Sequence, residues 1–556
     1  MRAPFLTACL ALAMATGFAD AQDLASLSVT DAVALLCARN ITAVEYATAI
    51  VKKTQQHECL NGFAHFDPDK VLADAKAIDD KAAAGEDVGP LCGLTFVVKD
   101  NIDVLGYPTT AGTPALVGAM PKVASPIVQR LLDANGVVLG KARMHELAYG
   151  VTSINPFFGP VLNPYNNLAH VGGSSGGTGS LVAARVAPAG FCSDTGGSCR
   201  IPAAMNGVVG YRPTTGCYNS GSGVVPMSVV RDTVGVIARS VKDVNTLNPI
   251  FTSCEFNPTD VSLEGLRVGY AVDFWSGIGN DTVSAYNEAL EALKAAGVEL
   301  VDLSLEAVTA AHMEQGDNLY YSYEMPRELA RYLAWNEYNV SLTELTKAVA
   351  TPSIHDNFGY SVFDQDLNTW PTPADYFYGI AEGTPHIQGL WNQTFSNASV
   401  DVILVPTTRI PARPIYATDG MAEFDGKWDF TYNLLGQAHM ADVPPKIPSI
   451  AFPAGLADDG MPVSLMLYAR PGDDSTLLSI AAAVEAALPA IPPPPETPAC
   501  QGCSSPTATP ITVEFPAEAL VTPSSGPVNV TMYILDIKGS CALQAANDFP
   551  IFPPTF

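Results

Sequence analysis

The segment His170–Gly207, "HVGGSSGGTGSLVAARVAPAGFCSDTGGSCRIPAAMNG", contains two glycine-rich patches, and each of them includes serine. The first patch is Gly172–Gly177, and the second runs from Asp194 to Ser198. Glycine is entropically costly to order, but it permits tight turns and a close approach of the backbone to a neighbouring group. Two such patches in one short segment therefore predict two places where the backbone lies unusually close to something else.

The second patch has the features of an acyl-transfer site. It follows a strand-like segment, Gly190–Asp194, and its consecutive glycines allow successive backbone N–H groups to converge on one anion. A serine at the end of such a nest, Ser198, can attack a carbonyl group while the N–H groups bind the oxyanion that forms. Taken alone, the same pattern also fits a helix N-cap beside a tight turn.

A serine nucleophile needs a base, and Lys99 is the candidate. The chain has eight histidines, and none lies in a pattern that singles it out. Lys99 ends the apolar segment Leu94–Lys99, which is typical of a buried strand. Burial lowers the pKa of a lysine, so that it can serve as a general base. The alternative is a surface lysine whose stem covers the end of the strand.

Several long motifs, in a fixed order, resemble those of the amidase signature family. They are "VVKDNIDVLGYPTTAGTPAL", "GGSSGGTGS", "DTGGSCRIPAAMNGVVGYRPTTG", "VPMSVVRDTVGVIARSVKDV", "VDVILVPTTRIPA" and "SIAFPAGLADDGMPVSLMLYARPGDDSTLLSIAAAVE". The resemblance covers Ser28–Ala487, and the central stretch is most similar to the family's indoleacetamide and mandelamide hydrolases. It implies an α/β fold with a mixed central β-sheet covered on both faces by α-helices. The alternation of apolar strands and helices along the chain favours the same class.

The resemblance also implies the chemistry, a serine–serine–lysine triad that needs no metal or organic cofactor. Matched by motif, Ser198 is the nucleophile, Ser174 is a bridging serine held in a cis peptide bond, and Lys99 is the base. The other residues implied are the oxyanion-hole N–H groups of Thr195, Gly196, Gly197 and Ser198, the supporting residues Ser175, Asp194 and Arg200, and, more weakly, the acyl-pocket residues Tyr149, Val151 and Thr152.

The expected activity is hydrolysis of a small primary amide with an aryl or other apolar acyl group, through an acyl-enzyme. Two alternatives stay open. Gly172–Gly176 fits the G-x-S-x-G nucleophile elbow, which would make Ser174 the nucleophile of an α/β-hydrolase-type esterase with His386 or His439 as its base. The chain could also be a non-catalytic secreted binding protein on an amidase scaffold.

Composition limits the partners. The 556 residues are 48% hydrophobic, enough for a large core, and carry a net charge of −27. Nucleic acids and anionic membrane surfaces both require a basic footprint, so neither is an expected partner. The expected partner is a small-molecule amide. The oligomeric state is open, with a homodimer among the alternatives.

The first 21 residues read as a signal peptide. Arg2 precedes an apolar run from Phe5 to Phe18, and Ala19–Ala21 fits a small-x-small cleavage site. We therefore expect a secreted protein, extracellular or periplasmic, in which the ten remaining cysteines form several disulfides of undetermined pairing. Glycosylation sequons lie at Asn40, Asn280, Asn339, Asn392, Asn397 and Asn529.

Composition divides the mature chain into three parts. The amidase-like domain is expected over residues 22–490. A proline-rich linker follows over residues 491–510, and a small β-type extension occupies residues 511–556.

Overall fold

The computed structural model describes residues 23–315 apart from 220 and 222, residues 318–351, 354, 371–415 and 446–495, and two strands near the C-terminus. The predicted signal peptide, His439, Cys500, Cys503 and Cys541 lie outside the described residues.

A large mixed β-sheet forms the centre of the protein. Its eleven strands lie in the order β1-β3-β2-β4-β6-β5-β10-β11-β9-β7-β8. The strands are β1 (Phe63–His65), β2 (Thr95–Lys99), β3 (Val137–Ala142), β4 (Ala189–Asp194), β5 (Val209–Arg212), β6 (Thr233–Ala238), β7 (Arg267–Ala271), β8 (Glu299–Leu303), β9 (Ile403–Pro406), β10 (Ser449–Leu456) and β11 (Pro462–Tyr468).

Helices surround this sheet, which confirms the predicted α/β class. They are α1 (Val29–Cys37), α2 (Ala43–Gln56), α3 (Pro68–Ala83), α4 (Pro126–Asp133), α5 (Gly176–Ala183), α6 (Arg200–Met205), α7 (Val241–Phe251), α8 (Val283–Ala295), α9 (Glu306–Gln315), α10 (Asn318–Trp335), α11 (Leu342–Ala348), α12 (Pro373–Tyr378), α13 (Thr384–Ala398) and α14 (Asp474–Ala487). None of the helices in the described ranges is long and apolar enough to cross a membrane.

Local sequence signals set several of these boundaries. Thr42 and Glu45 form a capping box at the start of α2: the Thr42 side chain accepts from the Glu45 N–H, and the Glu45 carboxylate accepts from the Thr42 N–H. Pro126 occupies the first turn of α4, where its missing N–H costs nothing. Strand β2 is buried along its whole length, as its apolar sequence predicts.

Strand pairing brings the two glycine-rich patches and Lys99 to one edge of the sheet. Strand β2 pairs in parallel with β4, with Val98 opposite Phe191. Parallel strands end at the same edge, so Lys99 at the end of β2 lies beside the last residues of β4. Helix α5 begins at Gly176, within the first patch, and packs on β4, which places both patches next to Lys99.

Three disulfides join described residues: Cys37–Cys92, Cys192–Cys199 and Cys217–Cys254. The sequence left this pairing open, because it depends on how the chain folds between the two cysteines of each pair.

Two C-terminal segments are described, the start of the predicted linker and a pair of strands beyond it. The first residues of the predicted linker lie against the main domain, where the Tyr165 hydroxyl donates to the Pro492 carbonyl at 2.8 Å. Beyond it, β12 (Ala508–Phe515) and β13 (Val528–Leu535) form a separate two-stranded antiparallel sheet. Strand β12 thus begins within the range predicted as linker.

Candidate active site

The first glycine-rich patch meets Lys99 directly. Lys99 Nζ lies 2.6 Å from Ser174 Oγ, and both residues are completely buried. The peptide bond between Gly173 and Ser174 is cis, as the family resemblance implied. Glycine is required at position 173 because an added Cβ would lie 2.8 Å from the backbone of Val151 and Thr152. This is one of the two close approaches that the glycine patches predicted.

Lys99 also contacts Ser193, the residue before Asp194. Its Nζ lies 2.8 Å from Ser193 Oγ and 3.4 Å from the Ser193 carbonyl oxygen. A neutral amine has two N–H donors and one lone pair. If both donors point to Ser193, the lone pair faces the remaining neighbour, the Ser174 hydroxyl. Ser193 is itself held by the Asn101 amide, whose Nδ2 donates to Ser193 Oγ at 3.0 Å.

Burial favours the uncharged form of the Lys99 side chain. Removal from water lowers its pKa to about 7, against smaller opposing effects of Asp194 and Asp232. Among the described residues, no carboxylate lies within ion-pair distance of Lys99. The neighbouring buried lysine, Lys141, differs because Asp100 lies 3.3 Å from its Nζ.

The pH dependence of activity follows from this pKa. A base must be neutral to accept a proton, so protonation of Lys99 below about pH 7 removes the active form. We expect kcat/KM to be level above about pH 8 and to fall roughly tenfold per pH unit below pH 6, as for one essential base. Initial rates on an uncharged amide between pH 5 and 9 check this. A rate that stays level down to pH 5 would contradict the assignment of Lys99.

The second patch lies against the first. The Ser175 N–H donates to the Ser198 carbonyl at 3.1 Å, and Ser175 Oγ donates to the Ser193 carbonyl at 3.3 Å. Ser175 therefore links the two patches through two hydrogen bonds. Ser198 keeps 7% of its surface exposed, whereas Lys99 and Ser174 have none. Of the three predicted triad residues, Ser198 is the most exposed.

The N–H groups of the second patch divide into two sets. Within the described part of the chain, those of Thr195, Gly196 and Ser198 have no hydrogen-bond acceptor, so they are available to an oxyanion. The Gly197 N–H, expected in the same set, instead donates to Asp194 Oδ1 at 2.9 Å. Gly197 has a positive φ of 100°, which favours glycine and turns the chain at this point. The geometry thus differs from the sequence expectation at Gly197, whose role is to hold the loop.

Asp194 braces this loop, as predicted. Arg200 binds its carboxylate through two hydrogen bonds, Nε to Oδ2 at 2.9 Å and Nη2 to Oδ1 at 2.8 Å. Arg212 adds a contact of 3.2 Å from Nη1 to Oδ1. Burial alone would raise the pKa of Asp194, but the two arginines and the Gly197 N–H hold it well below its usual range. The carboxylate is therefore charged and fixes the turn that ends in Ser198.

Two of the three weak acyl-pocket candidates lie beside Ser174. Val151 and Thr152 pack on Gly173, next to Ser174. The Thr152 hydroxyl lies 3.4 Å from His145 Nδ1, so this side chain is already engaged. Tyr149 is half-buried and packs against an apolar cluster that includes Met144, Leu147 and Met227.

Among the described residues, no histidine side chain contacts the Ser174 hydroxyl, and His439 lies outside them. His386 lies exposed on α13. His145 is nearby, but its backbone N–H donates to the Ser174 carbonyl, and its Nδ1 accepts from the Ser153 N–H at 3.1 Å. Burial lowers the pKa of His145 to about 4, so the ring is neutral and structural.

Three residues of the site were missed by sequence reasoning. Ser193 and Asn101 support Lys99, and the Asp232 carboxylate accepts from Thr195 Oγ1 at 2.6 Å. Asp232 also accepts from the N–H groups of Met227 and Ser228, so it fixes the segment that faces the nucleophile loop. The only signal that the sequence offered is position. Ser193 directly precedes Asp194, Asn101 follows Lys99 by two residues, and Asp232 directly precedes Thr233.

Residues 45–478 match the amidase family. The chain belongs to this family and is an amide hydrolase. The mandelamide hydrolase of Pseudomonas putida is 33% identical over 484 residues, which cover 85% of this chain and 93% of that protein. The indoleacetamide hydrolase of Rhizobium radiobacter is 31% identical over 456 residues, covering 81% of this chain and 94% of that protein.

Solved structures agree with this assignment. A crystal structure of an amidase superposes with a TM-score of 0.70 at 28% identity, covering 83% of this chain and all of that one. The native peptide amidase from Stenotrophomonas maltophilia superposes with a TM-score of 0.68 at 25% identity, covering 84% of this chain and 98% of that one.

Proposed function

We propose that this protein is a secreted amidase that hydrolyses small primary amides with an aryl or other apolar acyl group, through Ser198, Ser174 and Lys99. One observation carries the mechanism: a buried lysine, with no carboxylate partner among the described residues, lies 2.6 Å from Ser174 Oγ. The neighbouring Ser175 donates its N–H to the carbonyl of the partly exposed Ser198.

The proposed reaction is a two-proton relay. Neutral Lys99 accepts the proton of Ser174, and Ser174 accepts the proton of Ser198, whose oxygen attacks the amide carbonyl. Ser174 then donates one proton to the leaving nitrogen, and Lys99 returns its proton to Ser174. The nitrogen departs as ammonia and leaves an acyl group on Ser198. Water attacks this ester, with the same relay accepting its proton, and the carboxylic acid is released.

The loop of the second patch stabilises the charge that develops. The N–H groups of Thr195, Gly196 and Ser198 are free to donate to the tetrahedral oxyanion, and Asp194 and Arg200 hold the loop before the substrate arrives. A donor that is already in place stabilises the transition state without a cost of reorganisation, and one such hydrogen bond contributes about 3–4 kcal/mol.

Apolar side chains near this loop support an apolar acyl group. Thr195 Oγ1 lies 3.8 Å from Met227 Sδ, so the cluster that contains Met227 reaches the oxyanion loop. Ile201 and Val151 belong to a second apolar cluster, and the Ile201 N–H donates to the Gly197 carbonyl at 2.8 Å. Names of the two relatives, which refer to amides of aromatic acids, point to the same substrate class.

Secretion is part of the proposal. It rests on the predicted signal peptide and on the three disulfides of the structure, since disulfides form and persist in oxidising compartments. The five sequon asparagines within the main domain are all exposed, as glycosylation in a suitable host would require. They are Asn40, Asn280, Asn339, Asn392 and Asn397. N-terminal sequencing of exported protein, expected to begin near Gln22, tests this part.

A substrate panel tests the proposed class. We expect phenylacetamide, mandelamide and indoleacetamide to release ammonia with a kcat/KM at least about 100-fold above that of acetamide. Each apolar group placed in a fitting pocket is worth roughly 10- to 200-fold. Acetamide is the matched control, because it has the same reacting group and lacks the aryl group. Good cleavage of peptide or long-chain amides together with failure of all three aryl amides would contradict the substrate class while leaving the triad in place.

A further inference from the structure

The disulfide Cys192–Cys199 encloses the nucleophile loop. Cys192 lies on β4, two residues before Asp194, and Cys199 directly follows Ser198. The closed segment thus contains Asp194, the proposed oxyanion N–H groups and the proposed nucleophile. The other two disulfides in the described ranges, Cys37–Cys92 and Cys217–Cys254, involve neither the triad residues nor this loop.

This bond is built into the core of the protein. Both cysteines are completely buried, and their sulfur atoms pack on strand β6 at Gly235. A Cβ at Gly235 would lie 3.1 Å from Cys199 Sγ and 3.3 Å from Cys192 Sγ. The absence of a side chain at Gly235 therefore leaves the space that the sulfur pair occupies.

The disulfide joins the two halves of the catalytic machinery. Ser193, next to Cys192, contacts Lys99 through its hydroxyl and carbonyl oxygens. Cys199 is bonded to Ser198 along the chain. The disulfide therefore links strand β4, whose Ser193 contacts Lys99, to Cys199, the residue after Ser198.

A noncovalent brace acts on the same loop. Asp194 accepts from the N–H groups of Gly197 and Cys199 at 2.9 and 3.1 Å. This carboxylate holds the turn, but each of its hydrogen bonds can lengthen as the loop moves. A covalent bond between the ends of the loop limits that motion, and a displacement of about 1 Å at a reacting group can cost about 100-fold in rate.

We infer that Cys192 and Cys199 are positioning residues, whose disulfide holds Ser198 and the oxyanion N–H groups in the geometry needed for acyl transfer. This inference rests on the proposed function, in which Ser198 is the nucleophile. Its effect is local, because a short closed segment restricts the unfolded chain less than the 55-residue separation of Cys37 and Cys92.

A pair of double variants tests the inference. Cys192→Ala/Cys199→Ala removes the loop disulfide, and Cys37→Ala/Cys92→Ala is the matched control, which removes a disulfide remote from the site. We expect the loop variant to lose about 10- to 100-fold in kcat with KM within about threefold of wild type. Its rate of labelling by a fluorophosphonate should fall by the same factor. The control should lose thermal stability and keep a near-wild-type kcat. A loop variant with unchanged kcat, or equal losses of kcat in both variants, would overturn the inference.

Ser198→Ala in the same assay separates this inference from the proposed function. If that variant stays active, the proposed nucleophile is wrong. If it is inactive while the loop variant behaves as wild type, only the positioning role fails.

A measurement on wild-type enzyme covers the case in which the loop variant does not fold. Graded treatment with a phosphine converts each disulfide to two thiols, with water supplying the oxygen of the phosphine oxide. Peptide mapping without further reduction then reports which pair has opened. We expect kcat to fall in step with opening of Cys192–Cys199. Fully active enzyme in which both cysteines are free thiols would refute the positioning role.

Discussion

Ser198→Ala is expected to reduce amide hydrolysis by on the order of 10⁶-fold, to the residual rate that binding and the oxyanion hole provide without a nucleophile. The structure makes Ser198 the most accessible of the three triad residues, at the end of a loop fixed by Asp194. Removing one hydroxyl from this loop leaves the hydrogen bonds of Asp194 intact, so the fold should not change. Ammonia release from phenylacetamide, with a thermal melt on the same sample, measures both quantities.

Ser180→Ala is the control for this prediction. Ser180 is also buried, lies on helix α5 near the site, and donates its hydroxyl to the Leu162 carbonyl at 2.8 Å. The same chemical change there should cost about 1 kcal/mol of stability and leave kcat within about twofold of wild type. Substantial activity in Ser198→Ala, or equal loss in both variants, would show that Ser198 is not the nucleophile.

Lys99→Ala is expected to lower kcat by about 10²- to 10⁴-fold at pH 8, the usual contribution of a general base. Among the described residues, Lys99 is the only side chain with a nitrogen positioned to accept the Ser174 proton. Lys99→Arg should be inactive as well, because a guanidinium donates hydrogen bonds and stays protonated. If Lys99 served only as a cation or a donor, arginine would retain much of the activity.

Chemical rescue distinguishes a lost base from a disturbed fold. The alanine variant leaves a buried space next to Ser174 that a small primary amine can enter. We expect ethylamine to restore part of kcat in Lys99→Ala, with a pH dependence set by the amine. The same amine should have no effect on Ser198→Ala, which serves as the control. A Lys99→Ala enzyme with near-wild-type kcat at neutral pH would show that Lys99 is not the general base.

The sequence alone predicted those structural features that depend on a local pattern of residues. An all-apolar run ending in lysine predicted a buried strand, and β2 is that strand. The two glycine patches predicted close backbone approaches, and Gly173 makes one against Val151 and Thr152. The capping box at Thr42 fixed the start of α2.

Other features depend on contacts between distant segments, and the sequence alone could not supply them. Ser193 supports Lys99 from a strand 94 positions further along the chain. Asp232 reaches Thr195 across the pairing of β4 with β6. The pairing of Cys192 with Cys199 likewise requires the turn of the loop between them. At Gly197 the pattern suggested an oxyanion donor, but the neighbouring Asp194 carboxylate is a stronger local acceptor for its N–H.

The most direct test of the mechanism is to find the residue that becomes covalently modified. A fluorophosphonate forms a stable phosphonyl ester with an activated serine, and peptide mapping by mass spectrometry locates it. We predict one label per chain, on Ser198, with labelling abolished in Ser198→Ala and strongly slowed in Lys99→Ala. A label on Ser174, or labelling that is as fast in Lys99→Ala as in the wild type, would contradict the proposed serine–serine–lysine relay.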